Sequence, residues 1–204
     1  MNRKPELQNL NSAVQRIGLL GGSFNPVHLG HLLVAQAARE ELQLSRLFFV
    51  PAAQSPFKPG LPLAPAEQRL CLLRLALAGQ TDCEIDDQEI NRGGVSYTID
   101  TARDYARRFP GAPLFYLIGA DHVPLLPKWR DADALARLVE FVVIQRPGQA
   151  VAPLPGPFRG RALAGYPLGV SSSQIRERVK AGLPVDLLVG PAVAEAIRNN
   201  RLYL

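Results

Sequence analysis

The sequence predicts an α/β fold: a doubly wound parallel sheet with helices on both faces and a small helical part at the C-terminal end. Three observations carry this expectation. Residues 17–20, 114–118 and 141–144 are apolar runs without polar alternation, as in strands covered on both sides, and residues 46–50 form an aromatic and β-branched run. Stretches with helical periodicity separate these runs. Glycines close two of them, Gly21-Gly22 and Gly119, at the carboxyl ends where such sheets bind ligands.

The elements follow in order. Residues 1–16 are polar and read as a flexible extension, which leaves 17–204 as one domain. After the strand at 17–20, residues 28–44 have helical spacing, and 46–50 make the second strand. Pro51, Pro56, Pro59, Pro62 and Pro65 prevent regular structure over 51–65, which is a loop. Residues 66–78 are predicted helical and 83–90 extended. Residues 98–109 form an amphipathic helix with Ile99, Ala102, Ala106 and Phe109 inward. The strand at 114–118 is followed by a helix at 131–138 and a strand at 141–144 that ends at Arg146-Pro147-Gly148. Residues 147–160, rich in Pro and Gly, read as a linker or excursion. The helix at 171–181 is stopped by Gly182 and Pro184, and a last helix covers 191–199. There is no internal repeat.

Composition narrows the function classes. With 47% hydrophobic and 20% charged residues the chain can bury a full core, which excludes disorder throughout. No apolar run approaches the roughly 20 residues of a membrane span, and the polar start has no signal-peptide core, so a cytoplasmic protein is expected. Cys71 and Cys83 are too few for a disulfide framework and read as reduced core thiols. The net charge of +5 favours an anionic partner. That partner is nucleic acid, a membrane surface or a phosphorylated small molecule, and the dispersed basic residues, as in Arg103, Arg107 and Arg108, are weak evidence for nucleic acid.

The densest chemical signal is Gly21-Gly22-Ser23-Phe24-Asn25-Pro26-Val27-His28-Leu29-Gly30-His31, between the first strand and its helix. The glycines permit close backbone approach, and Pro26 sets the turn. His28 and His31, three residues apart at the helix start, share one face beside the unpaired N–H groups of that helix, which makes an anion site with two titratable donors. The segment is neither a Walker loop nor a dinucleotide fingerprint, and Asn25 stands where a nucleophile elbow needs glycine. A zinc site would have only His122, Cys71 and Cys83 to add, without paired spacing. Near the other end, Ser171, Ser172 and Ser173 open a helix with Arg176 one turn in: hydroxyls that cap and donate to phosphate, and a fork-shaped cation. Ser171 with Gln174 also fits a capping box.

These two segments resemble the paired signatures of the nucleotidyltransferase superfamily, with a Rossmann-like fold, whose members move a nucleotidyl group from a nucleoside triphosphate to a phosphate acceptor. Glu89-Ile90-Asn91-Arg92-Gly93-Gly94-Val95-Ser96-Tyr97-Thr98, Gly119-Ala120-Asp121 with Trp129, and the proline loop with Lys58 are similar to bacterial nicotinate-nucleotide adenylyltransferases, over nearly all of residues 17–203. The resemblance implies the reaction of ATP, carried with Mg²⁺, and nicotinate mononucleotide to give nicotinate adenine dinucleotide and pyrophosphate, a step of NAD synthesis. It implies that His28, His31 and Arg176 are catalytic and that Gly21, Gly22, Ser23, Phe24, Ser172 and Ser173 join them around ATP. It places Lys58, Thr98, Gly119, Asp121 and Trp129 on the mononucleotide, with no metal held by the protein itself.

Four positions depart from the family pattern, one of them Lys128, unusual before Trp129. Phe57 stands where a histidine is usual, Asn25 replaces the commoner aspartate, and Ser173 the commoner threonine. Two alternatives stay open at this level: a related transferase acting on nicotinamide mononucleotide or pantetheine phosphate, and a nucleic-acid binder using the positive charge. Homo-oligomerisation is equally open.

Overall fold

The computed structural model describes residues 14–57, 60, 62–145, 148 and 152–204. The elements are β1 (Ile17–Gly22), α1 (Leu29–Leu42), β2 (Arg46–Pro51), α2 (Ala66–Ala76), β3 (Cys83–Ile85), α3 (Gln88–Arg92) and α4 (Thr98–Arg108). They continue with β4 (Leu114–Gly119), a 3₁₀ stretch (Ala120–Lys128), α5 (Ala132–Leu138), β5 (Glu140–Ile144), β6 (Gly160–Leu163), α6 (Ser172–Lys180), α7 (Asp186–Val189) and α8 (Pro191–Asn199). Among the described residues, six strands form one sheet in the order β3-β2-β1-β4-β5-β6. Every pairing in it is parallel. This is the expected doubly wound α/β, Rossmann-like architecture. The order reverses between β1 and β4, and there the crossovers part to leave a crevice at the strands' carboxyl ends.

The continuously apolar strands bury both faces. Leu20, Leu47, Phe49, Phe115, Leu117 and Val142 pack with Ala35, Ala38 and Leu42 of α1, Leu72 and Leu73 of α2, Ile175 of α6 and Ile197 of α8. On the opposite face Ile17, Leu19, Phe48, Val50, Tyr116 and Val143 pack with Ile99, Ala102 and Tyr105 of α4 and Leu135 of α5. In α4, Ile99 and Ala102 are buried as expected and Ala106 and Phe109 are half-buried, while Tyr105 completes the stripe. Among the described residues no helix is long and apolar enough to cross a membrane.

Two local expectations, for residues 88–90 and for the cysteines, differ from the structure, and two elements, β6 and the 3₁₀ stretch, were not foreseen. Residues 88–90 are helical rather than extended, because the Asp86 carboxylate accepts the Gln88 N–H at 3.1 Å and turns the chain into α3. Strand β6 follows the Pro/Gly-rich excursion; only Leu163 in it is buried, so it has no apolar signature. Gly160 lets it join β5, since a Cβ there would collide with the Phe141 carbonyl. The 3₁₀ stretch contains Pro124 and Pro127, whose missing N–H groups exclude a regular α-helix. Neither cysteine is a core thiol: Cys71 is exposed and Cys83 half-buried.

Candidate active site

The site begins where β1 ends. A Cβ on Gly21 would collide with the Tyr116 hydroxyl from β4, so only glycine lets the two strand ends close together. The chain then turns through Phe24, whose φ of 44° is left-handed, and enters α1. His28 is the extended residue just before the helix, and His31 the third residue inside it. His31 Nδ1 accepts the His28 backbone N–H at 3.2 Å, and the two rings lie 3.8 Å apart, tilted by 33°. The Phe24 ring meets His31 edge-on at 5.0 Å. Burial, with His28 as a second cause, holds the His31 pKa well below the usual imidazole range. His31 is therefore neutral, with its proton on Nε2 as a donor.

A second helix mouth meets the first. Ser171 and Gln174 exchange side-chain and backbone hydrogen bonds at the start of α6, an N-terminal box that fixes the entry of this helix. The Ser172 hydroxyl donates to the Pro26 carbonyl at 2.8 Å. Arg176 donates to the Asn25 carbonyl at 2.8 Å and to Ser173 Oγ at 3.2 Å. These bonds stitch α6 onto the loop before α1, so the imidazole pair, the serines and the guanidinium stand around one space. Asn25, which also borders that space, is buried and spends its side chain on the protein: it accepts the Ala64 N–H at 3.0 Å and donates to the Pro62 carbonyl at 3.3 Å, which anchors the proline loop.

The far end is aromatic. Trp129 is buried, with Phe57 at 5.5 Å, His122 at 5.9 Å and Tyr116 at 6.4 Å between ring centroids. Its indole N–H has no hydrogen-bond partner among the described residues, a buried donor that a ligand can satisfy. Thr98 donates to the Tyr116 hydroxyl at 3.4 Å. Gly119 leaves room for the Asp121 carboxylate, which a Cβ would strike.

All of these surround a cleft of about 560 Å³. Gly21, Gly22, Ser23, Phe24, His28, His31, Ser172, Ser173 and Arg176 line one part, and Thr98, Gly119, Asp121 and Trp129 another. Lys58 falls outside the described residues. The lining also includes Tyr116, His122, Glu89, Ser96 and the segment from Ala164 to Leu168, none of which the sequence singled out for the site by residue chemistry. Behind the loop lies Arg69, 2% exposed, donating to Ser23 O at 2.8 Å and to Ala64 O at 3.2 Å. The sequence signal for it is faint: it stands three and four residues before Leu72 and Leu73, within the apolar stripe of α2, but an arginine there ordinarily turns to solvent. Among the described residues no group of three or more His, Cys, Asp and Glu side chains is arranged to hold a metal ion. Donors at one end and rings at the other suit a ligand with a polyphosphate and a planar cationic or aromatic group.

Known proteins carry the same pattern. A cytidylyltransferase-like family model matches residues 19–178. A chain of Opitutus terrae named a probable nicotinate-nucleotide adenylyltransferase is 44% identical over 92% of this chain and 97% of its own length. One of Shouchella clausii with the same name is 40% identical over 93% and 97%. Among solved structures, the Plasmodium falciparum nicotinic acid mononucleotide adenylyltransferase complexed with NaAD has a TM-score of 0.78 at 16% identity, covering 93% of this chain and 97% of that one, a likeness of fold. The chain is thus a member of the cytidylyltransferase-like superfamily and, within it, of the nicotinate-nucleotide adenylyltransferase family.

Proposed function

We propose that this protein joins ATP and nicotinate mononucleotide into nicotinate adenine dinucleotide with release of pyrophosphate. The observation that carries the reading is the meeting of two helix mouths, His28 and His31 on α1 with Ser172, Ser173 and Arg176 on α6, over one cleft whose other end holds the Trp129 cluster. The family's activity supports the same reaction.

The acceptor phosphate is already an anion, so its oxygen attacks the α-phosphorus of ATP in line without a general base. The bond to the bridging oxygen breaks, and pyrophosphate leaves with the electron pair. Catalysis is then positioning and stabilisation of charge that grows on the leaving group. His31 offers an Nε2–H donor in a desolvated setting where such a bond is strong. Ser172, Ser173 and Arg176 supply donors from the facing helix. Mg²⁺ would enter with the triphosphate and would neutralise phosphate charge there. The pyridinium of the acceptor sits against the Trp129 face, a cation–π contact, and its ring carboxylate takes N–H donors.

Competition between nicotinate and nicotinamide mononucleotides for ATP, read by dinucleotide product, tests the acceptor. A clear preference for nicotinate is expected. A preference for the amide, or turnover with pantetheine phosphate alone, overturns the named substrate.

A further inference from the structure

Among the described residues, Arg69 is a buried cation without an acidic partner. The residue is 2% exposed, its guanidinium donates to two carbonyls, Ser23 O at 2.8 Å and Ala64 O at 3.2 Å, and no ion pair includes it. The nearest titratable neighbour with a charge interaction is Tyr203, whose buried hydroxyl has no hydrogen-bond partner and which also feels Arg176. Isolated buried charges are costly, and proteins ordinarily pair them. Among the described residues nothing supplies the counter-charge for this one.

The geometry says where. Arg69 does not line the cleft; it lies behind the loop whose residues Gly22, Ser23 and Phe24 do. In a trans peptide C=O and N–H point in opposite directions. By holding the Ser23 carbonyl on the rear side, Arg69 turns the Phe24 N–H of the same peptide unit to the front, and no acceptor takes that N–H among the described residues. Ser172 does the same from α6 with the Pro26 carbonyl, setting the Val27 N–H the opposite way. The loop thus presents N–H dipoles forward with a full positive charge behind them.

We infer that Arg69 is a positioning residue for polyphosphate: its buried charge and its grip on the Ser23 carbonyl orient the loop dipoles, and the bound anion supplies the counter-charge that the fold leaves out. The inference rests on the polyphosphate-binding reading of this cleft. It has a consequence that purely structural arginines do not share. Removing the charge relieves a desolvation cost in the ligand-free protein that offsets the donors lost by the Ser23 and Ala64 carbonyls, whereas the anion complex is weakened with nothing to offset it.

The test uses the full chain and inorganic tripolyphosphate as probe. Calorimetric affinity and ligand-free melting temperature are measured for the wild type and for Arg69→Gln, Arg69→Met and Arg69→Lys. Expected are affinity losses of about tenfold or more for the Gln and Met variants, recovery to within about threefold for Lys, and little change in melting temperature without ligand. In turnover assays KM for ATP rises in Arg69→Gln while KM for the mononucleotide holds. If the wild type binds tripolyphosphate and the uncharged variants bind it equally well, the role of Arg69 is overturned and the site reading stands. If the wild type does not bind it, the site reading falls and takes the inference with it. Failure of both uncharged variants to fold also overturns the inference, because the guanidinium would then serve the fold irrespective of any anion.

Discussion

His31 is a cleft residue whose protonation is set by burial. Burial and the adjacent His28 keep it neutral in the free protein. In the unfolded chain the same imidazole titrates near its ordinary value of about 6.5, so as pH falls through that value the unfolded state takes up a proton that the folded state refuses. The ligand-free protein is accordingly expected to lose stability below about pH 6.5, until the folded imidazole itself titrates. Urea midpoints at pH 7.5 and 5.5 check this, and His31→Asn should flatten the difference. An equal slope in the variant would assign the loss to other groups. For catalysis, His31→Ala should cut kcat on the order of a hundredfold with unchanged circular dichroism, the loss typical of one donor aimed at developing charge. Full activity would remove His31 from the mechanism.

At the scale of elements, the Asn25 side chain helps tie the proline loop to the glycine-rich loop, beside Arg69. Asn25→Ala leaves the Ala64 N–H and the Pro62 carbonyl without their partner, at an expected cost of about 1–3 kcal/mol in denaturant unfolding. The same variant should raise KM for the mononucleotide more than KM for ATP, since Phe57, which faces Trp129, sits on the loop that is released. The strands on both sides of the crevice were legible from unbroken apolar runs, and both helix mouths from their serines, histidines and glycines. What was not legible had no periodic signal. β6 buries one residue of four, the 3₁₀ stretch is shaped by two prolines, and α3 is started by one Asp86 side chain. Asn25 is instructive in another way, because its place in the glycine-rich motif suggests contact with a ligand, whereas its side chain faces the protein and its backbone carbonyl serves Arg176.

For the molecule as a whole, the cleft gathers residues from both halves of the doubly wound sheet, and metal dependence is a property of that assembled whole. If Mg²⁺ enters with the nucleotide, chelation by EDTA stops turnover yet leaves the melting temperature of the nucleotide-free protein unchanged to within about a degree. An ion caged by the folded chain would instead stabilise it, and EDTA would lower the melting point. The architecture itself was readable from sequence because parallel strands and their crossovers obey few rules. The rear support of the loop was harder, since an arginine on a helix ordinarily signals solvent, and only the finished packing puts Arg69 inside.

The bond from Ser172 to the Pro26 carbonyl spans 146 positions of the chain. A growing polypeptide on the ribosome therefore carries the glycine-rich loop long before it carries the helix that completes it. Until the segment that carries Ser172 emerges, the nascent chain holds only one of the two helix mouths that face the cleft.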